Sequence, residues 1–461
     1  YFKLTKTHIA EYGAPRLFHT IGLAERDYSA DRETNHRLKL YAYDRIITRL
    51  RRDYPDAPLW IGSWDFVNNW HDPELIRDLV SRLDPANTII FDYTSDTPPD
   101  PVNPYTGKAT PTNDFSKWNV MGKFPWIFGI FHAFESGNEP RGNYQVIAER
   151  LPLAAADPCC RGFCFWPETS HTDTLMLEFF AANAWQPRAP KIETFLPEFC
   201  RKRYRETTRE IFTRLWEAML PAISSVHWRF DFFHANLEAR LLITPELIAP
   251  TPEQRAKNRA RLAEVAPTLP GVVETLQTLA GVDFNGLDEM EFRDALDLGR
   301  TAFHRLFLCR ITAFASHRYD PAVPAVAPEE LTELLTLEAA MLEAHMDYSL
   351  NDSLDLLKQR PHYNDMFEET LKGNAENDYC RTQIYELVRG CYQPELAAYL
   401  ELTSEKNPFS EEFGKRQQTI RDAFYAAPLE TFRPDHENAR RALPRTFARL
   451  AELSRRAIAA R

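Results

Sequence analysis

The chain contains no sustained block of Lys or Arg. Its 55 basic residues are outnumbered by 66 acidic ones, for a formal charge of −11. A nucleic acid or an anionic membrane would call for a concentrated positive surface that is missing here. No apolar run reaches the roughly 18 residues needed to span a bilayer, so neither nucleic acid nor membrane is expected as a partner. A neutral or cationic small substrate suits the charge balance better. Cysteine is scarce and odd in number, seven in 461 residues, with Cys159 and Cys160 adjacent. That usage reads as thiols kept reduced and makes the cytoplasm the default compartment. Cys160 and Cys164 have no second pair and no suitably spaced His, so no metal is expected.

Several chemistry-bearing motifs are absent too. There is no G-x-S-x-G, no G-x-x-x-x-G-K-[ST] and no G-x-G-x-x-G, which removes the usual anchors for serine nucleophiles, phosphate cradles and dinucleotides. No cofactor is expected. His19, His71, His132 and His171 lack helical pairing and read as solvated or hydrogen-bonding histidines. Nothing in the sequence specifies an oligomeric state.

What is present begins with 44% hydrophobic residues, enough to bury a large core in two or three domains. From Leu17 to Trp185 short apolar runs alternate with helical patterns, the signature of successive strand and helix units. "RLFHTIG", "APLWIGSW", "NTIIFDYT", "FPWIFGIFHAF" and "GFCFWPE" read as strands. In "HRLKLYAYDRIITRLRRDY" the residues Leu38, Tyr41, Ile46 and Leu50 mark an apolar helix stripe. "DPELIRDLVSRLD" starts with Asp72 and Pro73 as cap and first-turn residues. Strands buried on both faces and separated by helices imply a parallel sheet. Only five units are visible where a closed barrel has eight, and the chain opens on Tyr1, not Met. The expectation is an open sheet, or a barrel whose first strands precede the chain.

After "QPRAPK", Gln186 to Lys191, strand signals give way to long helical patterns. "RETTREIFTRLWEAMLPAI", "DEMEFRDALDLGRTAFHRLFLCRITAFASH" and "PEELTELLTLEAAMLEAHMDYSLNDSLDLLKQ" space apolar residues three or four apart, and "RFDFFHANLEARL" reads as helix core. The Pro-rich breaks "ITPELIAPTPEQ" and "DPAVPAVAPEE" divide them into hairpins. No fixed-period repeat is visible, which argues against a solenoid. The fold class expected is α/β followed by all-α, with domains at 1–188 and 189–461.

In parallel α/β sheets reactive groups gather at the carboxyl ends of strands. Those ends supply Glu25, Trp64 with Asp65, Asp92 with Asp96, His132 with Glu135, and Glu168. Two carboxyls with aromatic neighbours suit glycoside hydrolysis, where one must be protonated while the other is ionised. An apolar wall raises the first, and hydrogen bonds keep the second charged. Trp64, Trp126 and Trp166 would present flat faces to a sugar ring.

"HIAEYGAPRLFHTIGLAER", "APLWIGSWDF", "GKFPWIFGIFHAFESGN" and "FCFWPETSHTDTLMLEFFAANAW", in this order, resemble the alpha-N-acetylglucosaminidases of glycoside hydrolase family 89. "WQPRAPKIETFLPEFCRKRY" resembles that family's passage into its helical domain. "NDYCRTQIYELVRGCYQPELAAYL" resembles a helix packed near its active site. The resemblance implies the C-terminal part of a (β/α)8 TIM-type barrel plus a helical domain, with a carbohydrate substrate. By position, Glu168 corresponds to the nucleophile of a retaining mechanism and Glu25 to the general acid/base. Trp64 and His132 match pocket positions. Trp166, His171 and Asp173 flank the nucleophile as sugar-hydroxyl or supporting contacts.

Two positions depart from the family. Ala24 stands where the family has Asn before the acid/base, and Ala133 where it has Asn after the matched His. Losing two amides changes which sugar the pocket accepts. A different sugar, as in an α-glucuronidase-like enzyme, and a carbohydrate-binding relative without chemistry are the alternatives. Glu135, in a glycine-rich place of the family, reads as a solvated loop carboxylate or as a new acceptor for sugar hydroxyls.

Overall fold

Strands Phe18–Thr20 (β1), Leu59–Gly62 (β2), Thr88–Phe91 (β3), Trp126–His132 (β4) and Cys160–Pro167 (β5) form one sheet in the order of the chain, each parallel to the next. The first four lie inside the stretches expected from sequence, and β5 begins two residues before its expected stretch, at Cys160. The computed structural model describes residues 2–13, 17–20, 27–69, 72–93, 95–96, 115–132, 139–167, 173–185, 191–224, 251–375, 383–403 and 410–459. A doubly wound sheet would reverse its strand order at a switch point. This one never does, so its crossovers wind in one direction, as in consecutive units of a (β/α) barrel.

The two faces of the sheet differ accordingly. Phe18, Leu59, Ile61, Ile90, Phe128 and Ile130 point into the main core with the helices. The alternate residues belong to the other face, where Phe91 and Tyr93 are buried in a second cluster with Trp60, Trp64, Ile127 and Trp166 around them. β5, at one end of the strand order, has no fully buried residue. Gly129 lets the β3 and β4 backbones approach, since a Cβ there would collide with the Asp92 carbonyl oxygen.

Helix Arg32–Asp53 (α1) follows β1, and Asp31 caps it by accepting from Thr34 N. Its buried side is only partly the expected one: Leu50 is in the core and Ile46 packs against it. Leu38 and Tyr41 are exposed, at 38% and 62%, and the inward residues are Asn35, His36, Lys39, Leu40, Tyr43 and Leu50. The apolar stripe misled because polar residues of this helix turn inward and find partners, Asn35 in Asp27, His36 in Asp78 and Tyr43 in Asp65. Helix Pro73–Ser81 (α2) starts as expected, with Asp72 accepting from Glu74 N and Leu75 N and with Pro73 in the first turn. Helices Tyr144–Ala156 (α3) and Thr174–Trp185 (α4) flank β5. Trp126 does not reach the strand ends. It sits at the amino end of β4 on the helix side, 4% exposed, and its indole donates to Asp157 Oδ2 at 3.0 Å. The alternation of side chains along a strand sends it away from any sugar.

From Ile192 onward every described element is helical. The long helix Glu289–His317 (α5) is buried all round from Phe292 to Ser316 apart from a few positions, so other helices pack on every side of it. A capping box between Asp288 and Glu291 starts it. Arg203 and Tyr204, from the element that resembles the family's interdomain passage, both bond Asp294 of α5. The pattern from Pro328 to Gln359 is not one helix. It divides into Pro328–Leu342 (α6), a 3-10 turn at Met346–Tyr348 and Leu350–Lys358 (α7). Glu386 explains the restart, accepting from Ser349 Oγ, Leu350 N, Asn351 N and Asn351 Nδ2, each at 2.9 Å. "RFDFFHANLEARL" lies outside the described residues.

Candidate active site

The carboxyl ends of the five strands converge on one rim. After β2 the chain turns directly into the 3-10 segment Ser63–Asn69, which carries Trp64 and Asp65. Ser63 Oγ accepts from Tyr93 N at 3.0 Å and so ties this turn to the end of β3. Gly62 is required beneath them, since a Cβ would lie 2.7 Å from Tyr93 Cε2 and 2.8 Å from Phe91 Cζ. β3 continues into Asp92, Tyr93, Ser95 and Asp96, all buried. Asp92 Oδ2 accepts from Ser95 Oγ at 2.7 Å, and Ser95 N donates to the Gly129 carbonyl.

An aromatic shelf occupies the inner side of this rim. Trp166 stacks on Phe91 at 5.2 Å between ring centroids, with planes 25° apart, and lies 5.4 Å from Tyr93. Trp64 meets Tyr93 edge to face at 6.2 Å. Trp166 is only half-buried, so part of its surface is left to a ligand. His19 lies beside Phe91 at 5.1 Å, and burial lowers its pKa.

Next to the shelf is a buried charged cluster that joins α1 to the β2 turn. The Tyr43 hydroxyl donates to Asp65 Oδ2 at 2.5 Å. Burial pushes the Asp65 carboxyl up to about 7, against the Tyr43 hydrogen bond and the Lys39 charge. Lys39, 1% exposed, is pulled down by its own burial and held up by Asp27 and Asp65. Asn35 Nδ2 donates to Asp27 Oδ1 at 2.6 Å, and Asn35 Oδ1 accepts from Tyr28 N. The segment that begins two residues after Glu25 is therefore anchored on the first turn of α1.

Glu25, Glu168 and His171 lie outside the described residues, as do Glu135, His71, Ala24 and Ala133. Glu168 follows directly on Pro167, which pairs with His132 across β4 and β5. His132 is 2% exposed, and its Nε2 lies 3.5 Å from Asp173 Oδ2. Asp173 is itself buried and accepts from Arg141 N at 2.9 Å and from Met176 N at 3.1 Å. Its two oxygens thus bind one backbone amide of the segment before α3 and one in the first turn of α4. Of the expected site residues, Trp64 and Trp166 share the shelf, and His132 and Asp173 form a buried pair.

Sequence reasoning missed Glu139. It is 3% exposed, and both its oxygens are used. Oε2 accepts from His304 Nδ1 and Oε1 from Arg305 Nη2, each at 3.0 Å. Burial opposes its charge, but Arg305, the His304 hydrogen bond and Arg141 prevail and hold it well below the usual carboxylate range. On the far side of His304, Nε2 lies 3.6 Å from Glu338 Oε1, and burial raises the Glu338 pKa. No local signal marks these partners, since Glu139 and His304 are 165 residues apart. Among the described residues no group of three or more His, Cys, Asp or Glu is placed to hold a metal ion. None of the described helices is long and apolar enough to cross a membrane.

Residues 3–187 match the family described as the alpha-N-acetylglucosaminidase (NAGLU) tim-barrel domain. Two solved structures from Clostridium perfringens share the fold. One is a family 89 glycoside hydrolase in complex with PUGNAc, at 15% identity and a TM-score of 0.60, covering 91% of this chain and 46% of that one. The other is a doubly Glu-to-Gln-substituted family 89 enzyme in complex with its substrate GlcNAc-alpha-1,4-galactose. It matches at 14% identity and a TM-score of 0.59, covering 98% of this chain and 49% of that one. The chain spans about half the length of these solved chains. No curated protein matches it.

Proposed function

We propose that this chain, whose residues 3–187 match the alpha-N-acetylglucosaminidase barrel family, is a retaining exo-glycosidase that removes a terminal α-linked sugar. The observation that carries this reading is the shelf of Phe91, Tyr93, Trp64 and Trp166 at the strand end from which Glu168 continues. Such a surface takes the apolar C–H face of a pyranose ring. The strand ends around it supply carboxylates, as two-carboxylate chemistry requires.

In this mechanism Glu168 attacks the anomeric carbon while the bond to the leaving oxygen breaks and Glu25 gives that oxygen its proton. Water then yields a proton to Glu25, its oxygen attacks the same carbon, and Glu168 is released. The two carboxyls must stand about 5 to 5.5 Å apart for this double displacement. Asp65, with its carboxyl pushed up to about 7, lies in the cluster that anchors the segment after Glu25 and carries only part of its negative charge there at neutral pH. Ala24 and Ala133, in place of two amides, support a sugar with fewer polar demands than N-acetylglucosamine, or binding without turnover.

The test is hydrolysis by the full chain of aryl α- and β-glycosides and of GlcNAc-α-1,4-galactose. Hydrolysis that retains the anomeric configuration and disappears in Glu168→Gln is expected. For Glu25→Ala, recovery with azide on an activated aryl glycoside is the expected signature. Sugar binding without hydrolysis of any glycoside would favour the binding protein and sink the enzyme.

A further inference from the structure

Alanines from separate elements of the helical region line one cavity. Ala263 belongs to the helix Pro252–Val265, Ala266 to the 3-10 turn after it, Ala313 to α5, Ala322 to the turn that follows α5, and Ala457 to the helix His436–Ala459. Side chains this short leave a space of about 480 Å³ between them. That is far larger than the water-sized voids of a close-packed interior and falls in the roughly 300–1,000 Å³ range of small-molecule sites. Leu262, Cys309 and Val323 add to its apolar wall. Every lining residue follows Ile192, so the cavity is separate from the strand-end rim.

The wall also has a cationic part. Arg310 is 5% exposed, and its Nε and Nη2 bond the two oxygens of Glu330 on α6, Nη2 at 3.0 Å. Its Nη1 makes no hydrogen bond among the described residues. Arg259, an exposed residue of the helix Pro252–Val265, stands 3.6 Å from Asp320 Oδ2, too far for a hydrogen bond. Asp320 is held in the turn after α5, where its Oδ1 accepts from Ala322 N at 3.2 Å and its carbonyl accepts from Val323 N. One helical turn before Arg259, Arg255 lies over the Tyr319 ring at 4.6 Å and fastens the helix to that same turn. Two guanidiniums and one carboxylate therefore line the cavity, in a chain whose overall charge is −11.

We propose that this cavity is a binding site for an amphipathic carboxylate, whose apolar body lies among the alanines and whose head accepts from Arg310 Nη1 and from Arg259. Glu330 already fixes the Arg310 guanidinium, so its remaining N–H groups lose little freedom when a ligand accepts from them. Arg259 is tied to Asp320 only by charge and can turn its planar fork to the same head. Hydrogen bonds from a guanidinium to an ionised carboxylate are about twice as strong as neutral ones. An ammonium head would meet two like charges instead. The site does not depend on the glycosidase reading.

The experiment titrates octanoate, acetate and octylamine into the full chain, with binding read by calorimetry and by the methyl NMR shifts of Ala313 and Val323. Octanoate should bind saturably, move both methyl signals, and bind at least about tenfold more tightly than acetate, which lacks the chain. Octylamine should leave both signals in place. Arg310→Gln should weaken octanoate roughly 10- to 100-fold, the scale of a lost hydrogen bond to a charged group. Because that change leaves Glu330 without its partner, a second variant guards against loss of the fold. Ala263 is exposed at the edge of the cavity, and Ala263→Trp should abolish the octanoate shifts with the melting temperature unchanged. Octanoate that moves neither methyl in the parent chain, or binds Ala263→Trp as tightly, overturns the site. Octylamine binding as tightly as octanoate overturns recognition of the carboxylate, and acetate binding as tightly overturns the role of the apolar wall.

Discussion

Phe91 and Trp166, from the third and fifth strands, stack at 5.2 Å with their planes 25° apart. Phe91 is fully buried and Trp166 is not, so the two rings divide the work. Phe91→Ala should act on the fold and cost about 3–5 kcal/mol, read as a lower denaturant midpoint. Trp166→Ala should act on the ligand, reducing kcat/KM about tenfold, the scale of a lost aromatic contact of ~1.5 kcal/mol. A Trp166→Ala chain with unchanged sugar affinity would remove the shelf from the binding site.

Asp65 makes stability fall as pH rises. Its native pKa of about 7 lies above the ordinary 3.8, so the folded chain holds this proton more tightly than the unfolded chain. The penalty is absent below about pH 4, grows between there and about 7, and is constant above, reaching at most roughly 4 kcal/mol. Asp65→Asn keeps an oxygen for the Tyr43 hydroxyl and removes the titration. It should be more stable than the parent at pH 8 and similar at pH 4, by urea denaturation at both values. Equal midpoints at pH 8 would contradict the buried titration.

His436 acts with the opposite sign to a buried neutral histidine. Both ring nitrogens face acceptors, Nδ1 the Glu343 carbonyl at 2.6 Å and Nε2 Asp352 Oδ2 at 2.9 Å, so the doubly protonated ring is favoured. The Asp352 hydrogen bond is the main cause that raises its pKa above 6.5. Its contribution is complete below pH 6.5 and fades as pH rises through the native value. His436→Gln should therefore lower the melting temperature more at pH 5.5 than at pH 9, the loss staying near 1 kcal/mol or below.

Glu386 joins two helical segments through one carboxylate. Glu386→Ala leaves buried donors at Ser349, Leu350 and Asn351 without their acceptor and should cost roughly 3 kcal/mol or more. Glu386→Gln, which keeps one oxygen, should cost less. Denaturant titration of both variants checks the order, and a neutral Glu386→Ala would show the cap to be dispensable.

The strands were legible because their composition and length are local properties, and Asp72 with Pro73 announced a helix start for the same reason. The buried side of α1 was not legible. Lys39 and Asn35 lie inward, and acidic residues offset the cost: Asp27 and Asp65 raise the Lys39 pKa against its burial, and Asp27 accepts from Asn35. Trp126 was placed among the sugar-facing aromatics by residue type, yet its position at the start of β4 and on the helix side assigns it to the core. At the site, strand ends pointed to Trp64 and His132, and the family resemblance added Trp166 and Asp173, but the division of Asp173 into a cap and a clasp for Arg141 depends on a chain crossing from elsewhere.

By itself the sequence determined the alternation of strand and helix up to Trp185, the helical remainder, and the carboxylates and aromatics available at strand ends, because hydrophobic period, capping and turn chemistry act over a few residues. The tertiary structure alone decided which face each strand turns inward, the elevation of Asp65, and the anchoring of Glu139 on His304 and Arg305. Those depend on desolvation and on partners more than 100 residues away, and no local pattern encodes either.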